Sequence, residues 1–178
     1  MNTVHAQPLE TPREYRPKKI ADGMVTVTGE EGLELCALRP EGRLPGIATD
    51  ASVLLLSDQR TVATACRSLA GEGLIFSASV PVSVEILPET GSVHVATTAP
   101  CELRLRTNPG AQVTWGDSST KAGADGIALI VLETGQHVLA LSPFPADAAI
   151  VKALSWAREQ PGSAAKGVMR DTTTPSLP

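Results

Sequence analysis

Val82-Ser83-Val84-Glu85-Ile86-Leu87, then Pro88-Glu89-Thr90-Gly91, then Ser92-Val93-His94-Val95 set the architecture of this chain. Apolar and polar residues alternate on both sides of a short Pro/Gly loop. Successive side chains of an extended strand face opposite ways, so a period of two marks a half-buried strand. Gly91 is free to take the positive φ that a tight hairpin needs. The alternation breaks at Ala99-Pro100 and resumes as Cys101, Leu103 and Leu105 between Glu102, Arg104 and Arg106. Asn108-Pro109-Gly110 then turns the chain.

The same grammar extends in both directions. Upstream, Met24–Thr28, Leu33–Leu38, Val53–Leu56, Thr61–Cys66 and Leu74-Ile75-Phe76 are strand-like, with a Pro/Gly-rich loop over residues 39–50. Downstream, Gln112–Trp115, Ile127–Leu132 and His137–Leu141 are separated by Gly- and Asp-rich turns. This gives about ten short strands with turn signals roughly every 8–12 residues, the spacing of a sandwich or barrel. The expected fold is all-β, an antiparallel sandwich with one C-terminal helix. Ile150, Ala153, Leu154 and Ala157 stand at helical spacing, Pro145 and Asp147 suit the helix start, and Gln160-Pro161-Gly162 should stop it. The expected boundaries are a mobile arm or linker over 1–22, a sandwich over 23–144, a helix over 145–160 and a disordered tail over 161–178. Three prolines and the cluster Arg16-Pro17-Lys18-Lys19 suggest the arm.

Composition narrows the function classes. The chain has 178 residues, 42% of them hydrophobic, 3% aromatic and 19% charged, with a formal net charge of −4. A core of Val, Leu, Ile and Ala is affordable at this length. An acidic balance with few aromatics does not fit a nucleic-acid surface. No apolar run approaches the roughly 20 residues that span a bilayer. The polar N-terminus lacks a secretory h-region, so the sequence as written reads as cytoplasmic.

Catalytic signals are weak. Cys36, Cys66 and Cys101 form no C-x-x-C pair and read as buried thiols. His94 and His137 lie in separate strands, His5 in the arm, and nothing in the spacing gathers them into a metal site. Asp117–Lys121 resembles a calcium loop, but Lys121 stands where an oxygen donor is required. No nucleophile elbow, zincin or phosphate-loop motif occurs. No catalytic residue, metal or cofactor is therefore expected. Glu85, Glu102, Arg104 and Arg106 are expected to share solvent-facing sheet surface. The candidate ligand contacts are Arg104 and Arg106, which should point to one face, and Trp115, the aromatic at a strand end.

Thr61–Leu141, under half the chain, resembles the C-terminal β-sandwich domain of heparinase II/III-like polysaccharide lyases and related glycan-active enzymes. The likeness rests on Ile75–Glu85, Gly91–Val95, Cys101–Leu105 and Leu132–Leu141. It implies a sandwich with a supporting role, because in those enzymes Tyr and His of a separate helical toroid carry the chemistry. The single tyrosine here, Tyr15, lies in the N-terminal arm, so the resemblance implies no catalytic residue. The expectation is a non-catalytic accessory or interaction module, the terminal piece of a larger glycan-processing protein. A carbohydrate-binding module, a lyase fragment and a small enzyme with spatially gathered residues are the alternatives. Expected partners are a neighbouring domain or protein and polysaccharide, without nucleic acid or membrane.

Overall fold

A computed structural model describes residues 16–29, 32–40, 44–71, 75–145 and 148–160. These residues form thirteen β-strands and one helix, and every strand pairing is antiparallel. The all-β expectation holds. The strands are β1 (Arg16–Ala21), β2 (Met24–Gly29), β3 (Gly32–Leu38), β4 (Ala48–Thr49), β5 (Val53–Leu56), β6 (Thr61–Ala70) and β7 (Ile75–Leu87). They continue with β8 (Ser92–Thr97), β9 (Cys101–Arg106), β10 (Gln112–Trp115), β11 (Ser118–Lys121), β12 (Ile127–Leu132) and β13 (Gly135–Ser142). Helix α1 spans Ala148–Glu159.

The organising element is the long β6–β7 hairpin, which belongs to two sheets at once. Its first limb pairs Thr61 with Ile86 and Ala63 with Val84, and its second pairs Ser68 with Ser77 and Leu69 with Phe76. Between them the register shifts, Ala65 takes φ 49°, and Pro81 sits in the facing strand. A bulge adds a residue on one side and bends the pair. One larger sheet therefore runs β1-β2-β3-β5-β6-β7-β8-β13-β10-β11 through the first limb. A smaller one runs β4-β6-β7-β9-β12 through the second. Asp50 ties the bend: its Oδ1 accepts the N–H groups of both Arg67 and Ser68 at 2.9 Å.

Both sheets contribute to one buried cluster. A row of inner residues crosses Met24, Ala37, Leu54, Ala63, Val84 and Val95 strand by strand. The smaller sheet adds Phe76, Leu103, Leu105, Ile130 and Leu132. Each Val, Leu, Ile, Met or Phe side chain among them stabilises the fold by about 1.5–3 kcal/mol on leaving water. α1 lies against β3 and adds Ala153, Leu154 and Ala157, three of the residues at helical spacing in the sequence.

Three boundaries differ from the sequence expectation. Arg16–Ala21, assigned above to a mobile arm, is a strand paired with β2. Its charges hid it, yet exposed lysines are common on strands at a sheet edge. Ser118–Lys121 forms β11 rather than a loop, and residues 75–87 form one strand rather than two. With the two-residue β4, this raises the strand count above the expected ten. Residues 1–15, the expected tail over 161–178 and the expected cap Asp147 lie outside the described residues. No described helix is long and apolar enough to cross a membrane.

Candidate functional site

Two grooves lie on opposite limbs of the β6–β7 hairpin. The larger, about 480 Å3, crosses β6, β7, β8 and β13 on the larger sheet. Strand register builds it. Val62 stands opposite Glu85, Glu85 opposite His94, and His94 opposite Val138, so one row carries aliphatic, acid, imidazole and aliphatic side chains. Gln136 and His137 complete the lining. The His94 Nε2 atom is 3.4 Å from the Ser92 hydroxyl, which is 2.6 Å from that of Thr90. His137 Nε2 donates to the Glu133 carbonyl at 2.6 Å.

His94 and His137, 43 residues apart in sequence, thus both border this groove, His94 from the row of Glu85 and Val138 and His137 from the row of buried Val95. Sequence reading missed this, because the β8–β13 pairing that joins them closes over the whole excursion from 98 to 134. The groove is an open trough with apolar walls and a few polar groups, suited to seating a small polar ligand or a side chain. Among the described residues, no group of three His, Cys, Asp or Glu side chains is placed to hold a metal ion.

The smaller groove, about 190 Å3, is lined by Ser77, Arg104, Arg106 and Ile127 on the outer face of the smaller sheet. Here the sequence expectation and the structure agree on placement. β9 alternates buried Cys101, Leu103 and Leu105 with exposed Glu102, Arg104 and Arg106. Arg104 stands opposite Ser77 on one side and Leu129 on the other, and Arg106 opposite Ile127. The Glu102 amide donates to the Ser79 hydroxyl at 2.9 Å. No ion pair joins Arg104 or Arg106 among the described residues. Glu85, expected on the same surface, lies eight residues from Ser77 along β7 and belongs to the other groove. Eight extended residues span about 26 Å. Trp115 lines neither groove; it ends β10 opposite Ser118 and is packed, partly buried, against the core.

Beside the arginines runs β12, whose only ladder partner among the described residues is β9. Its outer-face residues are unusually bare: Leu129 is 54% exposed and Val131 72%. The cysteines offer no reactive thiol in either groove. Cys66 and Cys101 are buried, and Cys36 is half-buried on β3. Burial pushes the Cys66 thiol up to about 11, so it stays protonated at neutral pH, and it donates to the Ser68 carbonyl at 3.0 Å. Burial, with Glu34 nearby, also raises the Cys36 thiol.

No protein-family model matches this chain, and no curated protein matches it.

Proposed function

We propose that this chain is a non-catalytic interaction module, an accessory β-sandwich serving a larger glycan-processing protein or assembly. The observation that supports it best is the outer face of β9 and β12. Leu129 and Val131 stand half or more in water there, next to two arginines without acidic partners among the described residues. Exposed aliphatic residues beside unpaired cations suit a surface that a partner covers. The glycan context rests on the resemblance of residues 61–141 to the terminal β-sandwich domain of heparinase II/III-like lyases. Assays of the intact chain against acidic polysaccharides test the non-catalytic part. The expected outcome is no cleavage; turnover that scales with enzyme and vanishes in His94→Ala would overturn it, since His94 is the exposed imidazole facing a carboxylate.

A second reading, carbohydrate binding, is favoured by the groove between Ser77, Arg104 and Arg106, whose cations suit a sulfated or carboxylated sugar. Titration with a heparin-derived oligosaccharide checks it. Binding should fall with Arg104→Ala/Arg106→Ala and persist in Trp115→Ala, because Trp115 lies outside that groove. Loss on Trp115→Ala alone would move the site to the end of β10.

A further inference from the structure

We infer that the outer edge of β12, which no described strand pairs, receives an extended strand from a partner protein, one whose outward side chains carry carboxylates that meet Arg104 and Arg106. This rests on the interaction-module reading and names the partner's chemistry and its mode of docking.

The hydrogen-bond ladder shows which way β12 points its backbone. Thr107 N–H donates to Gly126 C=O at 2.8 Å, so position 126 bonds toward β9. The Ile127 N–H goes instead to Asp125 Oδ1 at 3.0 Å, and the Ile127 C=O accepts from Gly123 N–H at 3.0 Å, both off the ladder with β9. In an antiparallel ladder these roles alternate residue by residue. Ala128, Ile130 and Leu132 therefore bond to β9, while Leu129 and Val131 present their N–H and C=O groups outward. Those two residues are also the ones with exposed side chains. An added strand would satisfy the backbone groups and cover the aliphatics in one step, the mode of β-augmentation.

Charge selects the occupant. Ile127–Leu132 carries no charged residue, so nothing on the strand itself repels a neighbour. Arg106, Arg104 and Glu102 stand in the rows of Ile127, Leu129 and Val131. A strand added beyond β12 lies about 9.6 Å from β9, two strand spacings. Arginine stems can lie over Ile127 and Leu129 and bring their guanidinium groups to that strand. Carboxylates in the two arginine rows, and none in the Glu102 row, complete the pattern. A second copy fits less well. The two-fold pairing that matches Ile127, Leu129 and Val131 with their counterparts sets Glu133 against Asp125 of the second copy, and like charges opposite each other destabilise a pair.

The test uses the full chain with the labelled peptide acetyl-Thr-Val-Glu-Val-Glu-Val-Thr-amide and its Lys-for-Glu counterpart. Fluorescence anisotropy should show saturable binding of the acidic peptide and much weaker binding of the basic one. Arg104→Glu/Arg106→Glu should weaken the acidic peptide by about tenfold or more and improve the basic one. Leu129→Pro removes an outward N–H while leaving the bonds to β9, and proline is tolerated on an edge in that position; it should abolish binding. Should that variant fail to fold, amide exchange on the unmodified chain decides. The peptide should protect the Leu129 and Val131 amides, with little change at Ala128 and Ile130. Three results would overturn the inference: no binding of either peptide, protection of 129 and 131 without peptide at every concentration (the chain covers its own edge), or protection that rises with protein concentration (a second copy does). None of them bears on polysaccharide turnover, which judges the non-catalytic reading separately.

Discussion

Two sheet edges of this molecule solve the same problem in opposite ways. β1, at one end of the larger sheet, reads Arg-Pro-Lys-Lys-Ile-Ala; β12, at the end of the smaller, reads Ile-Ala-Leu-Ile-Val-Leu. On β1 the exposed Lys19 pairs with Asp22 at 2.9 Å, and Lys18 stands on the row that leads to buried Thr26. Proline, lysine and a charge on the inward row are the devices by which natural sheets refuse further strands. β12 has none of them, and its outer residues are aliphatic. An edge that no described strand covers, in the same chain as one that is guarded, fits use rather than neglect.

The sharpest way to break this contrast is at Gly126, where the chain enters β12. Gly126 has φ 79°, and a Cβ placed there would collide with the Thr107 carbonyl. That carbonyl belongs to the residue whose N–H bonds Gly126. Gly126→Ala should destabilise the fold by about 3 kcal/mol or more, from the left-handed backbone and the clash together. Chemical denaturation reads the loss. A change under about 1 kcal/mol would mean that the entry to β12 is pliable and its edge is not held as described.

The bend that separates the two edges rests on Asp50. Burial pushes its carboxyl up, but the Ser68 and Arg67 amides and the Cys66 thiol outweigh this and hold it below the usual carboxylate range. A lowered folded-state value stabilises the protein above the ordinary value near 3.9. That contribution disappears as pH falls through the folded value. Asp50→Asn should flatten this acid limb of a melting-temperature profile relative to the parent chain. Asp50→Ala, which strands two partly exposed amides, should lose about 1 kcal/mol at neutral pH. An unchanged acid limb in Asp50→Asn would remove Asp50 from the bend.

The particular residues show what sequence can and cannot convey. Val82, Val84 and Ile86, and Cys101, Leu103 and Leu105, are buried as their alternation required, because a period of two is a local property. Gly91 at φ 66° and the Asn108–Gly110 turn were equally legible. β1 was not, since the lysines that guard an edge also imitate a solvated arm. Nor was the continuity of β7 through Val80-Pro81, where proline suggests a break but an exposed bend tolerates it. Arg104 and Arg106 could be placed on one face from spacing alone. The row of Glu85, His94 and Val138 could not, because it depends on which distant strands pair.

A smaller effect is expected within the bend. Ala65 adopts φ 49°, a left-handed conformation that disfavours a Cβ. Ala65→Gly relieves this strain but frees the unfolded chain, so a net gain of about 0.5 kcal/mol is expected. A loss would indicate that the alanine methyl contributes packing that its exposed position does not suggest.

The smallest expected change in stability is the most informative about the edges. Lys18→Val/Lys19→Val gives β1 an aliphatic composition like that of β12. Both lysines are exposed, and the Lys19–Asp22 pair is fully at the surface, so folding stability should move by no more than about 0.5 kcal/mol. What should change is association: sedimentation at rising concentration should show the double variant self-associating where the parent does not. β12 carries its aliphatic outer face between Asp125 and Glu133, which oppose the matched two-fold pairing. If the variant stays monomeric, composition is not what closes β1, and the bare aliphatic sequence of β12 loses its force as a sign of an edge kept open for a partner.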